Sequence, residues 1–306
     1  MDLNIIHNED CRSGLQRYPD GFFYCCVTSP PYWGLRDYGV AGQLGLEETP
    51  EEYVAGMVDV FRQVKRVLRD DGTLWLNLGD SYGPGKQLMG MPWKLALALQ
   101  QDGWILRQDI IWHKPNPMPE SVRDRTTKAH EYIFLLSKSS KYYYNAAAIR
   151  EPPAASSLQR WAQDIDRQEG SSRVPGKSNG AMKAVGGPRR DKQRGHSIRH
   201  AGFNERWDKM TTAEQQAFGA NKRSVWTIST KPFKDAHFAT FPEELPHTCI
   251  LAGCPDGGNV LDPFMGAGTT GMVARKLQRN YVGFELNKEY VAMAERRLRN
   301  ELGMFL

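Results

Sequence analysis

The chain has 306 residues, 40% hydrophobic and 25% charged, with a net charge of +5. That length suffices for one large domain, or one domain carrying an insert, around a real core. No apolar run approaches the roughly 20 residues a membrane span needs. The N-terminal MDLNIIHNEDC lacks the basic and apolar stretches of a secretion signal, so the expected place of action is the cytosol.

The first strand signal is Phe22–Thr28, which runs into Ser29-Pro30-Pro31-Tyr32-Trp33. Cys25 and Cys26 lie inside this apolar run and read as core residues; the five cysteines fit no zinc spacing, and neither zinc nor disulfides are expected. Thr49-Pro50-Glu51-Glu52 has the form of a helix start: a cap, a proline at the first position and acids in the first turn. Apolar residues from Tyr53 to Leu68 then recur at helical spacing. Asp70-Asp71-Gly72 is expected to end that helix, and Thr73–Leu78 to form the next strand. A helix is expected over Pro92–Leu99, with strands over Ile105–Trp112 and Tyr132–Leu136. Strands alternating with helices predict a mostly parallel sheet covered on both faces.

The pattern stops near Arg150. From there to about Asn221 the chain is rich in Gly, Ser, Gln, Lys and Arg, and reads as a loop-rich insert. Between Arg160 and Arg223 there are fourteen Lys/Arg against seven acids, so the basic excess of the whole chain lies in this segment. A polyanionic partner accounts for such a concentration; a solvated loop is the plainer alternative.

Regular structure resumes at Ser224-Val225-Trp226. The last fifty residues predict a strand at Asn259–Leu261, a glycine turn, a helix over Thr270–Leu277, a strand at Tyr281–Glu285 and a helix over Lys288–Leu302. In the turn, Gly266 and Gly268 let the backbone approach a ligand, and the following helix offers free N–H groups to an anion. Glu285 stands 17 residues after Gly268, where nucleotide-binding sheets carry the acid that takes the ribose hydroxyls. Neither GxxxxGK[ST] nor a well-placed GxGxxG is present, so a ligand with a carboxylate and a ribose suits the turn better than a pyrophosphate.

In Ser29-Pro30-Pro31-Tyr32 the prolines stiffen the backbone and leave carbonyls to accept, while Tyr32 and Trp33 offer stacking surfaces. Stiff acceptors beside a flat ring suit an amino group on a planar heterocycle, whose delocalised lone pair such bonds make available. A rigid turn with buried aromatics is the bland alternative.

Together these motifs resemble the amino-methyltransferase family of DNA methyltransferases, which act on adenine N6 or cytosine N4. Ser29–Tyr32 matches the catalytic tetrapeptide [D/N/S]-P-P-[Y/F/W], and Asp262–Thr270 matches the cofactor turn. Catalytic motif first and cofactor motif last resembles the β group. Trp112–Pro117, His130–Leu135 and His237–Pro242 agree, so the resemblance covers nearly everything outside residues 151 to 222.

The resemblance implies an α/β, Rossmann-like, S-adenosylmethionine-dependent methyltransferase fold with seven strands, circularly permuted. Its catalytic half would be residues 1–150, its target recognition region 151–222 and its cofactor half 223–306. Ser29, Pro30, Pro31 and Tyr32 would be catalytic. Asp10 would lie near the adenine; Ala239, Phe241, Asp262, Phe264, Gly266, Gly268, Thr269 and Thr270 would hold the rest of the cofactor; Glu285 would take the ribose. Arg189, Arg190, Lys192 and Arg194 in the recognition region are candidates for DNA contact.

The implied reaction is site-specific methylation of a flipped-out base in double-stranded DNA, in a bacterial or phage-infected cell. In the family, serine at the first tetrapeptide position goes mostly with cytosine N4, and aspartate or asparagine with adenine N6. Cytosine N4 is therefore expected, with adenine N6 as the alternative. No Pro-Cys pair is present for carbon-5 methylation. A nicotinamide oxidoreductase would leave Ser29–Trp33 and the basic insert unexplained. A non-catalytic nucleic-acid-binding module, or an RNA or protein-glutamine methyltransferase, are further rivals. Related enzymes are often dimers; a cognate restriction endonuclease is not inferable.

Overall fold

The structure is a computed structural model. It describes residues 1–153, 219–230 and 241–303, together with 209, 211 and 214. The chain divides into two compact units, Met1–Ala148 with Arg223–Leu306, and Ile149–Lys222.

The first unit carries a single eight-stranded sheet among its described residues. Its strands are β1 (Ile5–His7), β2 (Phe23–Thr28), β3 (Leu68–Leu78), β4 (Ile105–His113), β5 (His130–Ser137), β6 (Val225–Thr227), β7 (Asn259–Asp262) and β8 (Asn280–Phe284). Their order is β1-β8-β7-β2-β3-β5-β4-β6. Only the pairings of β5 are antiparallel. The expected seven-stranded sheet gains a strand because Val225–Thr227 pairs along β4.

The helices are α1 (Cys11–Gly14), α2 (Pro50–Val67), α3 (Met91–Gln101), α4 (Glu244–Gly253), α5 (Thr269–Lys276) and α6 (Lys288–Leu302). Helix α2 starts as its sequence dictates. The Thr49 side chain accepts from the Glu52 amide, and the Glu52 side chain accepts from the Thr49 amide. Its inner face buries Tyr53, Met57, Val60, Phe61, Val64 and Val67. Each such burial removes apolar surface from water, at about 1.5–3 kcal/mol per side chain.

One boundary differs from expectation. Helix α2 ends at Val67, because Leu68 turns extended and pairs with Phe23 of β2. Asp70-Asp71-Gly72 lies inside β3, at a shift in its register against β2. There Arg69 bonds Asp71 and covers the Tyr24 ring. The ladder therefore overrides the helix-stop signal.

The core lies between the sheet and its helices, with Phe23, Cys26, Leu74, Leu76, Phe134, Leu261, Val282 and Phe284 at its centre. All five cysteines are buried. Among the described residues, no helix is long and apolar enough to cross a membrane. In the second unit, Glu151 and Ala220 exchange backbone hydrogen bonds of 2.9 and 2.8 Å. Lys222 lies 3.8 Å from the Glu151 carboxylate.

Candidate active site

The parallel strands β1, β8, β7, β2 and β3 all end on one edge of the sheet, where β4 also ends and β5 begins. From β2 the chain continues to β3 on one side, and from β7 it continues to β8 on the other. The strand order thus reverses between β2 and β7. Open α/β sheets leave a crevice at such a switch point, beyond the carboxyl ends of the strands. Ser29–Trp33 leaves β2 there, and Pro263–Gly268 leaves β7 beside it.

The two turns are joined at their roots. Register pairs Cys26 with Leu261, so Thr28 reaches the end of β7. The Thr28 hydroxyl donates to Asp262 Oδ1 at 2.6 Å, and the Thr270 hydroxyl donates to Asp262 Oδ2 at 2.6 Å. The Phe264 amide also donates to Asp262 Oδ1, at 3.0 Å. Asp262 is 1% exposed. Burial pushes its carboxyl up to about 6, against the pull of these three donors. Asp262 and Thr270 therefore hold the turn from within the protein, since their polar atoms are engaged there.

The glycine turn itself is backbone. Gly266 and Gly268 sit at φ 50° and 77°, in the left-handed region that favours glycine. No atom lies within 4 Å of where a Cβ on Gly266 would stand, so a ligand can lie against bare backbone. Gly268 caps α5, whose first amides lack partners within the helix. Thr269 is buried and accepts from Arg297 Nη1 at 2.8 Å. Arg297 also donates to the Ala267 carbonyl.

Glu285 closes the far side. Its Oε2 accepts from the Gly266 amide and its Oε1 from the Asn287 amide, both at 2.8 Å. Burial raises its carboxyl above the ordinary range in spite of those bonds. Asp10 follows β1, which pairs with β8 through His7 and Phe284, so Asp10 and Glu285 leave the sheet at the same end. Asp10 caps α1 and binds Arg12, with 2.7 Å between Oδ2 and Nη2. Burial opposes ionisation of Asp10, but the Arg12 bonds outweigh it and its carboxyl is lowered.

The Ser29–Tyr32 tetrapeptide is held mainly by side chains. Tyr32 donates its hydroxyl to Glu131 Oε2 at 2.8 Å, and its oxygen lies 3.2 Å from Ser29 Oγ. Asn77 Nδ2 lies within 3.3 Å of Ser29 Oγ, 3.0 Å of Tyr32 Oη and 2.9 Å of Glu131 Oε2. Lys114 Nζ pairs with Glu131 Oε1 and lies 4.4 Å from the Trp112 ring centroid. A Cβ on Gly79 would stand 2.6 Å from Tyr32 Cε2, so the ring packs on bare backbone. The Tyr53 hydroxyl donates to the Pro31 carbonyl at 2.8 Å. Burial, then the Glu131 charge, raises the Tyr32 phenol well above its usual range and keeps it protonated.

The structure therefore brings Ser29–Tyr32, Asp262–Thr270, Glu285 and Asp10 to one end of the sheet. Phe241 precedes α4 and is half-buried. Ala239, with the rest of residues 231–240, lies outside the described residues, as do Arg189, Arg190, Lys192 and Arg194.

Asn77, Tyr53, Thr28 and Gly79 carry no motif signal and were missed by sequence reasoning. Lys114 and Glu131 lie in Trp112–Pro117 and His130–Leu135, but nothing in the sequence pairs them. Tyr38 and Tyr290 were also missed. Their rings meet edge to face at 6.3 Å. Burial raises both phenols, and the nearby Glu285 adds to it. The loop after Trp33 thus returns toward the acid of the glycine turn.

The model of the DNA methylase family, N6_N4_Mtase, matches residues 23–296. The Type II methyltransferase M.SmaI of Serratia marcescens is 42% identical, across 94% of this chain and 88% of its own length. The Type II methyltransferase M.Cfr9I of Citrobacter freundii is also 42% identical, across 98% and 90%. Among solved structures, the cytosine-N4-specific PvuII DNA methyltransferase superposes with a TM-score of 0.64 at 18% identity, covering 97% of this chain and 90% of that one. The Thermus thermophilus protein TTHA0409, complexed with S-adenosyl-L-methionine, gives 0.60 at 22% identity, covering 98% and 96%.

Proposed function

The chain belongs to the DNA methylase family, and from that premise we propose that it methylates N4 of a flipped-out cytosine at a specific site in double-stranded DNA. It is a DNA methyltransferase that uses S-adenosylmethionine. The observation that supports reading the two turns as one methyl-transfer site is their junction. Ser29–Tyr32 and Gly266–Thr270 leave adjacent strands and are stitched together by Thr28, Asp262 and Thr270.

Each assigned residue has a task. The open backbone at Gly266 and the first amides of α5 would hold the methionine end of the cofactor, with Phe264 beside it. Free lone pairs on Glu285 would accept from the ribose hydroxyls, and Asp10 would serve the adenine end. When bound, S-adenosylmethionine supplies an electrophilic methyl group on a sulfonium.

Flipping the base out of its stack costs a few kcal/mol. Tyr32 offers a ring for it to stack on. Ser29 and the Pro30 carbonyl accept from the amino group and help its nitrogen pyramidalise. The site is rich in acceptors: Glu131 accepts from the Tyr32 hydroxyl, which leaves the phenol oxygen as an acceptor, and Asn77 Oδ1 is buried with no partner among the described residues. A group that brings two N–H donors complements such a site. Methylation acidifies the remaining protons, so proximity and electrostatics do most of the work without a strong general base.

Serine at position 29 favours cytosine N4. Adenine N6 is the second reading, since the same acceptors would serve it. Expression in an unmethylated host, followed by mass spectrometry of the nucleosides, tests the choice. N4-methylcytosine is expected; N6-methyladenine alone would refute it. The basic insert is the proposed DNA reader. Changing Arg189, Arg190, Lys192 and Arg194 together to Glu should weaken DNA binding and flatten its salt dependence. Unchanged affinity would remove that role. Related enzymes are often dimers, and sedimentation tests whether this chain is one.

A further inference from the structure

We propose that the Lys114–Glu131 ion pair is a positioning device that aims the Tyr32 ring and the Ser29 hydroxyl at the target base. The proposal rests on the reading of Ser29–Tyr32 as the amino-group site. Tyr32 has one proton to give, and it goes to Glu131 Oε2 at 2.8 Å. The phenol oxygen is left as an acceptor beside Ser29 Oγ, 3.2 Å away. The direction of the Ser29 hydroxyl therefore depends on where the Tyr32 proton is held.

The anchor is built for that purpose. Glu131 is the second residue of β5 and Lys114 follows the last residue of β4, and these strands pair directly, His113 with His130. Glu131 is 16% exposed and Lys114 20%. The pair is thus largely shielded, and a partner lost from such a pair leaves an uncompensated charge. Lys114 is itself steadied over the Trp112 indole. Glu131 Oε1 takes Lys114, which leaves Oε2 for Tyr32 and Asn77. The ring packs on the bare backbone of Gly79, where any side chain would collide with it. Three strands and their ends thus fix one phenol: Asn77 in β3 and Gly79 just past it, Lys114 just past β4, and Glu131 in β5. A core tyrosine needs one partner for its hydroxyl. This one has a charged partner that is itself neutralised and held, in the segment that also carries the proposed acceptors.

The test compares Glu131→Gln, Tyr32→Phe, Lys114→Met and the double variant Glu131→Gln/Tyr32→Phe. Methyl transfer from labelled S-adenosylmethionine to unmethylated bacterial DNA gives kcat, and calorimetry gives cofactor affinity. Misplacement on the ångström scale costs about 100-fold in turnover, so Glu131→Gln and Tyr32→Phe should each lose about that much. Cofactor affinity should stay near wild type; the thermal midpoint should fall in Glu131→Gln and in Lys114→Met, which each leave one charge of the pair unmatched, and Lys114→Met should lose less turnover than the other two. The double variant should be no worse than the worse single, because both break one tether. Losses that multiply in the double variant, or cofactor affinity falling in step with kcat, would overturn the proposal.

A second measurement does not depend on activity. With 3-fluorotyrosine at position 32, the fluorine resonance should be single and sharp in the parent protein, and should shift or broaden in Glu131→Gln. An unchanged resonance would overturn the positioning role. A parent protein that transfers no methyl group to DNA would instead refute the functional reading.

Discussion

The turns after β2 and β7 are neighbours on one edge of the sheet, yet they are made of different material. Ser29–Tyr32 is held by side chains drawn from β3, β4 and β5, and its directions are set by a shared pool of protons. Gly266–Thr270 is held mostly through its backbone, by left-handed glycines and by amides and carbonyls that meet Asp262, Glu285 and Arg297. A backbone cradle binds through shape and asks little of its neighbours beyond the absence of a side chain. A side-chain network sets the orientation of lone pairs, which a reaction at nitrogen requires. The Thr28–Asp262–Thr270 bridge belongs to both.

The difference can be broken from either side. Tyr32→Ala should cost most, more than about 100-fold in turnover, since it removes the hydroxyl tether together with stacking worth about 1–3 kcal/mol per base. Cofactor affinity should hardly change, and equal loss of both would erase the distinction between the turns.

Next comes the bridge. The Asp262 carboxyl is raised from 3.8 to about 6, so the folded state favours its neutral form. Its contribution to stability is fully present below about pH 4 and is lost as the pH rises through about 6. Between pH 4.5 and 7.5 that loss amounts to about 2 kcal/mol. Asp262→Asn should remove this part of the pH dependence, read as the difference between the two proteins in urea unfolding. Identical slopes would show that Asp262 is ionised throughout.

Gly268→Ala should follow. A left-handed residue with a Cβ costs roughly 1–2 kcal/mol, and this Cβ would stand 2.9 Å from Ala294 Cβ. About tenfold weaker binding of S-adenosylmethionine is expected by calorimetry, with the chemistry of any bound complex intact. The smallest effect should come from Thr28→Val. It removes one donor to Asp262 and should cost about 1 kcal/mol of stability. Turnover and cofactor affinity should decline together, because the bridge serves both turns.

Much of this frame was legible. The Thr49–Glu52 cap, the period of α2 and the apolar runs of β2, β4, β5, β7 and β8 act locally, so they can be read locally. Other elements escaped for physical reasons. β1 is three residues long, too short to show a period. α4 buries Leu245, Pro246, Cys249, Ile250, Ala252 and Gly253 and so has no single apolar stripe. The helix stop at Asp70–Gly72 was overridden by pairing of Leu68 with Phe23, a contact across 45 residues of chain. Tyr32 and Gly266 could be singled out as candidates because their chemistry is carried in contiguous motifs. Asn77 and Tyr53 could not, because an asparagine in a strand and a tyrosine in a helix look like any others until the sheet assembles.

By itself, then, the order of residues determined the chemistry that each turn could offer: stiff acceptors next to an aromatic ring in one, bare backbone followed by an acid in the other. Hydrogen-bonding capacity and backbone freedom belong to residue types and survive in any context. Only the tertiary structure decided that the turns leave one end of the sheet side by side, that Lys114 just past β4 and Glu131 of β5 hold the ring, and that Asp262 supports the turn from inside. Those facts depend on strand order and register, which arise from packing over the whole sheet and leave no local mark in the chain.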